Sequence, residues 1–379
     1  MKQPGGIRFG INFVPTVGPE ERSAARYFDE SLNLAARAEA LGLGSARITE
    51  HYFYDYGGYC PDPVTFLSAL AQRTTRMRLC TAGVTPAFSH PIRIASQLAM
   101  LDNLSHGRLD AGFARGFVPH EFDAFGVALE ESRSRFEEGV SAITWLWTQP
   151  EATWRGRYHA FGPVRLLPLP YQQPHPPIWV VTTFSPELFE WSGRNGYHLM
   201  AVPYISTHEN TANLVGIYRR AWEAAGHRRG AEQVQLSLHC YIAEDGATAR
   251  REAKRYYEEY TTKLLQAVGA WSSRRVAAYA GYQNLGRAIE ANAYEGVLRE
   301  TKALIGSPRE IVEQVAYLRG WYGDFEASLQ FNFASVPDDA AHRSLELLGT
   351  AVLPALREQG LTTSLDGSAP PGPNRPRGC

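Results

Sequence analysis

Glu50 and His51 stand side by side at the end of a short apolar segment, in the stretch ITEHYFYDYGGYCPDP (48–63). A histidine titrates near neutrality. At the mouth of a strand it either moves protons in a reaction or holds a backbone carbonyl in its loop. Arg115 and Gly116 close a second run, RLDAGFA (108–114). There a guanidinium forks onto a phosphate or pairs with a neighbouring acid, and Gly116 lets the backbone turn or approach a ligand. Arg133 stands at a helix start, a poor place for a cation unless an anion is near. SPEL (185–188) offers Ser185 as an N-cap ahead of Pro186. That starts a helix, and helix N-termini also take phosphate. Ala82–Gly83 and Thr183 lie at the ends of further apolar runs, and His120–Glu121 lie in a loop. The chemistry on offer is proton transfer and anion binding. There is no H-E-x-x-H, no G-x-S-x-G and no Walker loop, and no metal site is expected.

These residues need elements to position them. Strand-like runs at 7–13, 45–49, 77–84, 108–114, 177–183, 197–203, 234–243 and 326–334 alternate with helical stretches at 27–42, 64–74, 91–105, 132–147, 186–196, 207–226, 247–265 and 338–359. Strands that read as continuous apolar runs suit a parallel sheet covered on both faces. A closed (β/α)8 TIM barrel is the natural architecture, with an open doubly wound sheet as the alternative. In a barrel the strand C-terminal ends carry the active site. That rule gathers Glu50, His51, Ala82, Gly83, Arg115, Thr183 and Ser185. Three segments break the rhythm. Residues 154–177 form an aromatic, proline-rich insert, and 266–306 have no clear periodicity and read as a mobile lid. Residues 364–379 are a Pro/Gly-rich tail expected to be disordered, which leaves one domain over 1–363.

Composition narrows the partners. The net charge is -1 with no long basic run, so neither nucleic acid nor an anionic membrane is expected as a partner. No apolar stretch approaches the ~20 residues of a bilayer span. The four cysteines (Cys60, Cys80, Cys240, Cys379) are scattered, which points to a reducing, cytoplasmic setting.

As a set, ITEHYF (48–53), TAGVTPAFSHPIRIASQLAMLDNLSHGRLDAGFARG (81–116), EFDAFG (121–126), ESR (131–133), PIWVV (177–181) and ISTHENTANL (205–214) resemble the bacterial luciferase-like flavin monooxygenases, most closely the luciferase alpha-chain pattern. The resemblance runs over about residues 7–358. It implies a (β/α)8 barrel that takes reduced FMN (FMNH2) from a separate flavin reductase. Reaction with O2 then gives a flavin C4a-hydroperoxide that oxygenates a small organic substrate, with a natural-product intermediate among the candidates. It places His51 on the catalytic histidine. Glu50, Ala82, Gly83, Arg115, Glu121, Arg133, Thr183 and Ser185 fall on cofactor-binding positions. Arg115, Arg133 and Ser185 take the phosphate, and Ala82–Gly83 is a peptide that is typically cis in the family. The resemblance also suggests a homodimer. Ala114 replaces the reactive cysteine of luciferase, Val118 a tyrosine and Leu188 a phosphate-binding threonine, which argues against light emission. One residue is inserted near Phe184 relative to the family pattern. Two alternatives share the barrel: a deazaflavin (F420)-dependent oxidoreductase, and a non-catalytic subunit that partners an active homologue.

Overall fold

The computed structural model describes residues 6–291 and 293–362. The tail at 364–379, Cys379 and the last residue of the expected domain lie outside the described residues. Eight parallel strands close a barrel: β1 (Arg8–Phe13), β2 (Ser45–Ile48), β3 (Arg78–Thr81), β4 (Leu109–Ala114), then past a hairpin of β5 (Ala152–Arg155) and β6 (Ala160–Val164), β7 (Ile178–Thr182), β8 (His198–Ala201), β9 (Val234–Ile242) and, after a short β10 (Leu304–Gly306), β11 (Glu326–Gln330). Pairing of β8 with β9 and of β11 with β1 shuts the cylinder. The register carries apolar residues around it, Ile11 beside Ala46, Ala46 beside Leu79, and Leu79 beside Leu109. β10 extends the sheet from β9 alone.

Helices cover the outside: α1 (Ala24–Ala40), α2 (Pro63–Ala71), α3 (Pro91–Leu104), α4 (Pro119–Phe125), α5 (Ser132–Thr148), α6 (Pro186–Arg194), α7 (His208–Ala224), α8 (Gly246–Val268), α9 (Leu285–Ala291), α10 (Tyr294–Arg299), α11 (Pro308–Tyr322), α12 (Asp338–Leu347) and α13 (Leu353–Glu358). Their starts follow from the sequence. Ser23, Asp62, Thr207 and Asp245 cap α1, α2, α7 and α8 with side-chain oxygens, which satisfies amides that have no partner inside the helix. Proline occupies the first turn of α2, α3, α4, α6 and α11, where no N–H is needed. Among the described residues no helix is long and apolar enough to cross a membrane.

The structure adds elements to the sequence reading. The insert contains the antiparallel β5–β6 hairpin. Among the described residues, 266–306 hold the end of α8, three short helical turns and two short helices, then β10. α11, absent from that reading, starts with a Ser307–Glu310 capping box.

Below the mouth, the lumen is plugged by a buried ion pair. Arg47 Nη2 donates to Glu326 Oε1 at 2.6 Å, Ser45 Oγ donates to the same oxygen at 2.6 Å, and the Arg47 guanidinium lies 4.6 Å from the Trp179 ring centre. Burial pushes the Glu326 carboxyl up, but the charges of Arg47 and Arg8 and the hydrogen bonds from Ser45 and Arg47 win and hold it at about 2. Removing one partner of such a pair strands a buried charge, so Glu326→Ala will cost about 3–5 kcal/mol in urea unfolding. A depressed acid stabilises above its unfolded value of about 4.3. Its contribution in the wild type therefore fades as the pH falls from there through 2, and unfolding free energies measured down that range will show it.

Candidate active site

The C-terminal ends of the barrel strands surround one cleft of about 1200 Å³, solvent at its mouth included. Glu50, His51, Ala82, Gly83, Arg115, Glu121, Thr183 and Ser185 all line it. Arg133 does not; it reaches the rim through Ser185. The Ala82–Gly83 peptide is cis.

At the end of β2, His51 Nδ1 lies 3.0 Å from Glu121 Oε1, and the Tyr52 amide donates to the same oxygen at 2.9 Å. A carboxylate there favours the proton on Nδ1, leaving Nε2 as the basic nitrogen of the ring. Glu121 comes from α4, whose Pro119 sets the first turn. The imidazole is only 8% exposed and is packed by Tyr56 and Phe117, with ring centres at 5.1 and 5.7 Å. Gly57 lets the chain pass close behind it. Gly57 has φ +80°, and a Cβ added there would sit 2.6 Å from His51 Cβ. Gly57→Ala therefore costs about 1–2 kcal/mol of backbone conformation alone and displaces the ring. Denaturant unfolding and the His51 side-chain NMR signals check both effects.

Glu50 is a different acid. Burial first, then the charges of Glu121 and Asp62, push its carboxyl up to about 8, against hydrogen bonds from Tyr52 Oη (3.1 Å) and the Thr85 amide (3.4 Å). It holds its proton at neutral pH. The cleft thus pairs a neutral acid with an oriented imidazole, two groups whose environments suit proton transfer.

The opposite side is built for an anion. Arg115 is 5% exposed, its Nη1 has no hydrogen-bond partner among the described residues, and its guanidinium lies 3.8 Å from the Tyr279 ring centre. Among the described residues it makes no salt bridge, so the ion-pair alternative for Arg115 drops out. A buried charged donor left unpaired is costly, which makes the site receptive to a negative group. Ser185 holds the N-cap position of α6 but does not cap the backbone. Its hydroxyl donates to Glu187 Oε2 at 2.7 Å and accepts from Arg133 Nη2 at 2.8 Å, while Arg133 also reaches Glu187 at 3.1 Å. The Ser185 hydrogen bond, the Glu187 main-chain N–H and Arg133 hold the Glu187 carboxyl at about 2. The anion that Arg133 called for is therefore, here, a side chain of the protein.

The sequence also suggests the aromatics that follow His51, namely Tyr52, Phe53, Tyr54, Tyr56 and Tyr59, as a wall for the pocket, and the structure corrects this. Of Tyr52, Phe53, Tyr54, Tyr56 and Tyr59, Tyr56 alone lines the cleft, and Phe53 is 64% exposed. The walls come instead from Phe117, Phe184, Tyr204 and Tyr282. The 266–306 segment forms the roof, with Tyr282, Leu285 and Ile289 facing the cleft. It is tied down by Trp271 Nε1 donating to the Phe117 carbonyl at 2.7 Å and by Tyr279 Oη donating to the Gly116 carbonyl at 2.7 Å. Sequence reasoning also missed a polar floor. Asn12 Oδ1, Thr49 Oγ1 and Gln235 Nε2 are buried without hydrogen-bond partners among the described residues, and all three residues line the cleft. The signal was present: Gln235, Ser237 and His239 alternate with apolar residues along β9, as lumen-facing positions of a strand must.

Comparison with known proteins places the chain. A curated but uncharacterised protein, y4wF of Sinorhizobium fredii, is 32% identical over 199 residues, 52% of this chain and 57% of that one. The chain thus spans little more than half the length of that relative. The oxygenase component of the flavin-dependent trigonelline monooxygenase of Acinetobacter baylyi is 30% identical over 257 residues, 66% of this chain and 68% of its own length. The crystal structure of monooxygenase RslO1 from Streptomyces bottropensis superposes with a TM-score of 0.81 at 41% identity, covering 92% of this chain and 99% of that one. An F420-dependent secondary alcohol dehydrogenase shares the fold alone, with a TM-score of 0.71 at 16% identity over 93% of this chain and 99% of that one. Residues 7–324 match the luciferase-like monooxygenase family, and the chain belongs to it.

Proposed function

We propose that this chain is the oxygenase component of a two-component flavin system. It takes FMNH2 from a separate reductase and uses O2 to place one oxygen atom on a small organic substrate, of the kind found among natural-product intermediates. The observation that carries the reading is the convergence, on one cleft, of the buried Arg115 guanidinium, whose Nη1 has no hydrogen-bond partner among the described residues, and a carboxylate-oriented imidazole at His51. The trigonelline relative, named as an oxygenase component, supports the reductase partner.

The residues fit FMN. Arg115 Nη1 would hold the phosphate, with Ser185 beside it at the rim, and the polar floor of Asn12, Thr49 and Gln235 would meet a ring edge that carries donors and acceptors. Bound FMNH2 supplies the two electrons that divide O2 between product and water. The protein's own work is positional and protic. His51 accepts or returns a proton at Nε2 while Glu121 fixes the ring. The roof of Tyr282, Leu285 and Ile289 keeps water from the reacting atoms.

Glu50 gives this reading a pH signature. Wild-type oxygenation will fall as the pH rises through about 8, where Glu50 loses its proton. Glu50→Gln, a permanently neutral analogue, will stay flat over the same range. A rate profile of both proteins checks this, and identical profiles remove Glu50 from the proton path.

Anaerobic titration with FMNH2 and with reduced F420, followed by admission of O2, tests the whole. Tight FMNH2 binding and a flavin that reacts with O2 on the protein are expected. Preference for reduced F420 would make the chain a hydride-transferring oxidoreductase. Binding of neither would leave the non-catalytic subunit.

A further inference from the structure

Beyond the two polar sides, the cleft has an apolar end with an unusual polar feature. Tyr56 and Tyr204 line it together with Val14, Ile205 and Leu264. Behind them stands Tyr260, 1% exposed, whose ring centre is 5.8 Å from Tyr56 and 6.1 Å from Tyr204. The Tyr204 and Tyr260 hydroxyls are 2.8 Å apart, and the Tyr56 hydroxyl interacts with both. Among the described residues, no carboxylate and no main-chain carbonyl accepts a hydrogen bond from any of the three. Three O–H donors have been placed together with only each other as partners. A phenol oxygen accepts as well as donates, but three hydroxyls bonded in an open chain leave one O–H without an acceptor. Here burial also raises the pKa of all three, so they stay donors across the physiological range. His239, fully buried against Tyr260 at 4.3 Å, bonds to none of them.

A donor-rich cluster in an apolar wall matches a ligand that is apolar apart from an acceptor oxygen. An alkene or alkane would leave the phenols as they are, and a charged amine would meet the wrong polarity. The cluster also adjoins the imidazole, since the Tyr56 ring centre is 5.1 Å from that of His51. An oxygen held there lies next to the group that handles protons.

We propose that Tyr56, backed by Tyr204 and Tyr260, is the seat for a carbonyl oxygen of the second substrate, which is therefore a largely apolar ketone. This rests on the oxygenase reading and names its substrate class. Tyr56 and Tyr204 are specificity-determining residues, and Tyr260 positions them.

The test uses the whole protein saturated with oxidised FMN and two probes of matched shape, 1-tetralone and tetralin, titrated by tryptophan fluorescence. One net hydrogen bond is worth about 0.5–1.5 kcal/mol, so the ketone should bind about two- to twelvefold more tightly than the hydrocarbon. Tyr56→Phe, which removes only the hydroxyl, should bring the ratio close to one and leave FMN affinity unchanged. Tyr204→Phe is the second variant and should weaken the preference partway. Equal affinities in the wild type, no measurable binding of either probe, or a preference that survives both substitutions would overturn the seat. The same titrations without FMN keep the failures apart. If FMN does not bind but the ketone preference holds and depends on Tyr56, the flavin reading fails and the seat stands.

Discussion

Arg115→Met will weaken FMN binding by about ten- to hundredfold while leaving riboflavin binding nearly unchanged. A hydrogen bond to a charged group contributes about 1.5–3 kcal/mol, and each 1.4 kcal/mol is tenfold in affinity. Arg115 is the cation in position to make that contact, because Arg133 is already engaged with Ser185 and Glu187. The folded protein should tolerate the change. Among the described residues its Nη1 has no hydrogen-bond partner, and the cost of removing the guanidinium is mainly its stacking on Tyr279, about 0.5–2 kcal/mol. Arg115→Lys keeps the charge but loses the planar fork and will fall between the two. Titration of flavin fluorescence with FMN and riboflavin for the three proteins, with urea unfolding alongside, reads each of these. Loss of riboflavin binding to the same extent would mean the arginine shapes the cleft and does not grip a phosphate.

His51→Ala will slow the reaction of the bound reduced flavin with O2 by about 10²-fold or more, the lower end of what a positioned acid or base supplies. The flavin should still bind, because the anion contacts at Arg115 and Ser185 do not involve the imidazole. Glu121→Gln will have a smaller effect of the same kind. An amide in place of the carboxylate no longer enforces the Nδ1–H tautomer or stabilises a protonated ring, and the Tyr52 amide retains an acceptor. Stopped-flow traces of flavin absorbance, with hydrogen peroxide release measured in parallel, check both variants. Traces unchanged in His51→Ala would remove the imidazole from the proton chemistry.

Much of this was readable before any coordinates. The eight barrel strands announced themselves because strands buried on both faces must be apolar throughout, as in IRFGINF and PIWVV. The strand-end rule then put Glu50, His51, Ala82, Gly83, Arg115, Thr183 and Ser185 in one place, and they do share one cleft. What stayed hidden has physical causes. β10 is three residues long and depends on β9 for its pairing, so no local pattern marks it. α11 did carry a signal, the S-P-R-E capping box at 307–310, and was readable in principle. The aromatic wall failed because the sequence lists rings without directions. Phe53 and Tyr54 sit in a tight loop at the barrel mouth and point away from the cleft. The engagement of Arg133 by Glu187 depends on how the first turn of α6 faces the start of α5, a tertiary fact that neither segment encodes alone.

The direct test of the central claim is the affinity of the unaltered protein for FMN against riboflavin, which differ only in the phosphate. The account predicts that FMN binds at least about tenfold more tightly, and that the difference shrinks as inorganic phosphate is added to compete for Arg115. Equal affinities for the two flavins, insensitive to phosphate, would contradict it.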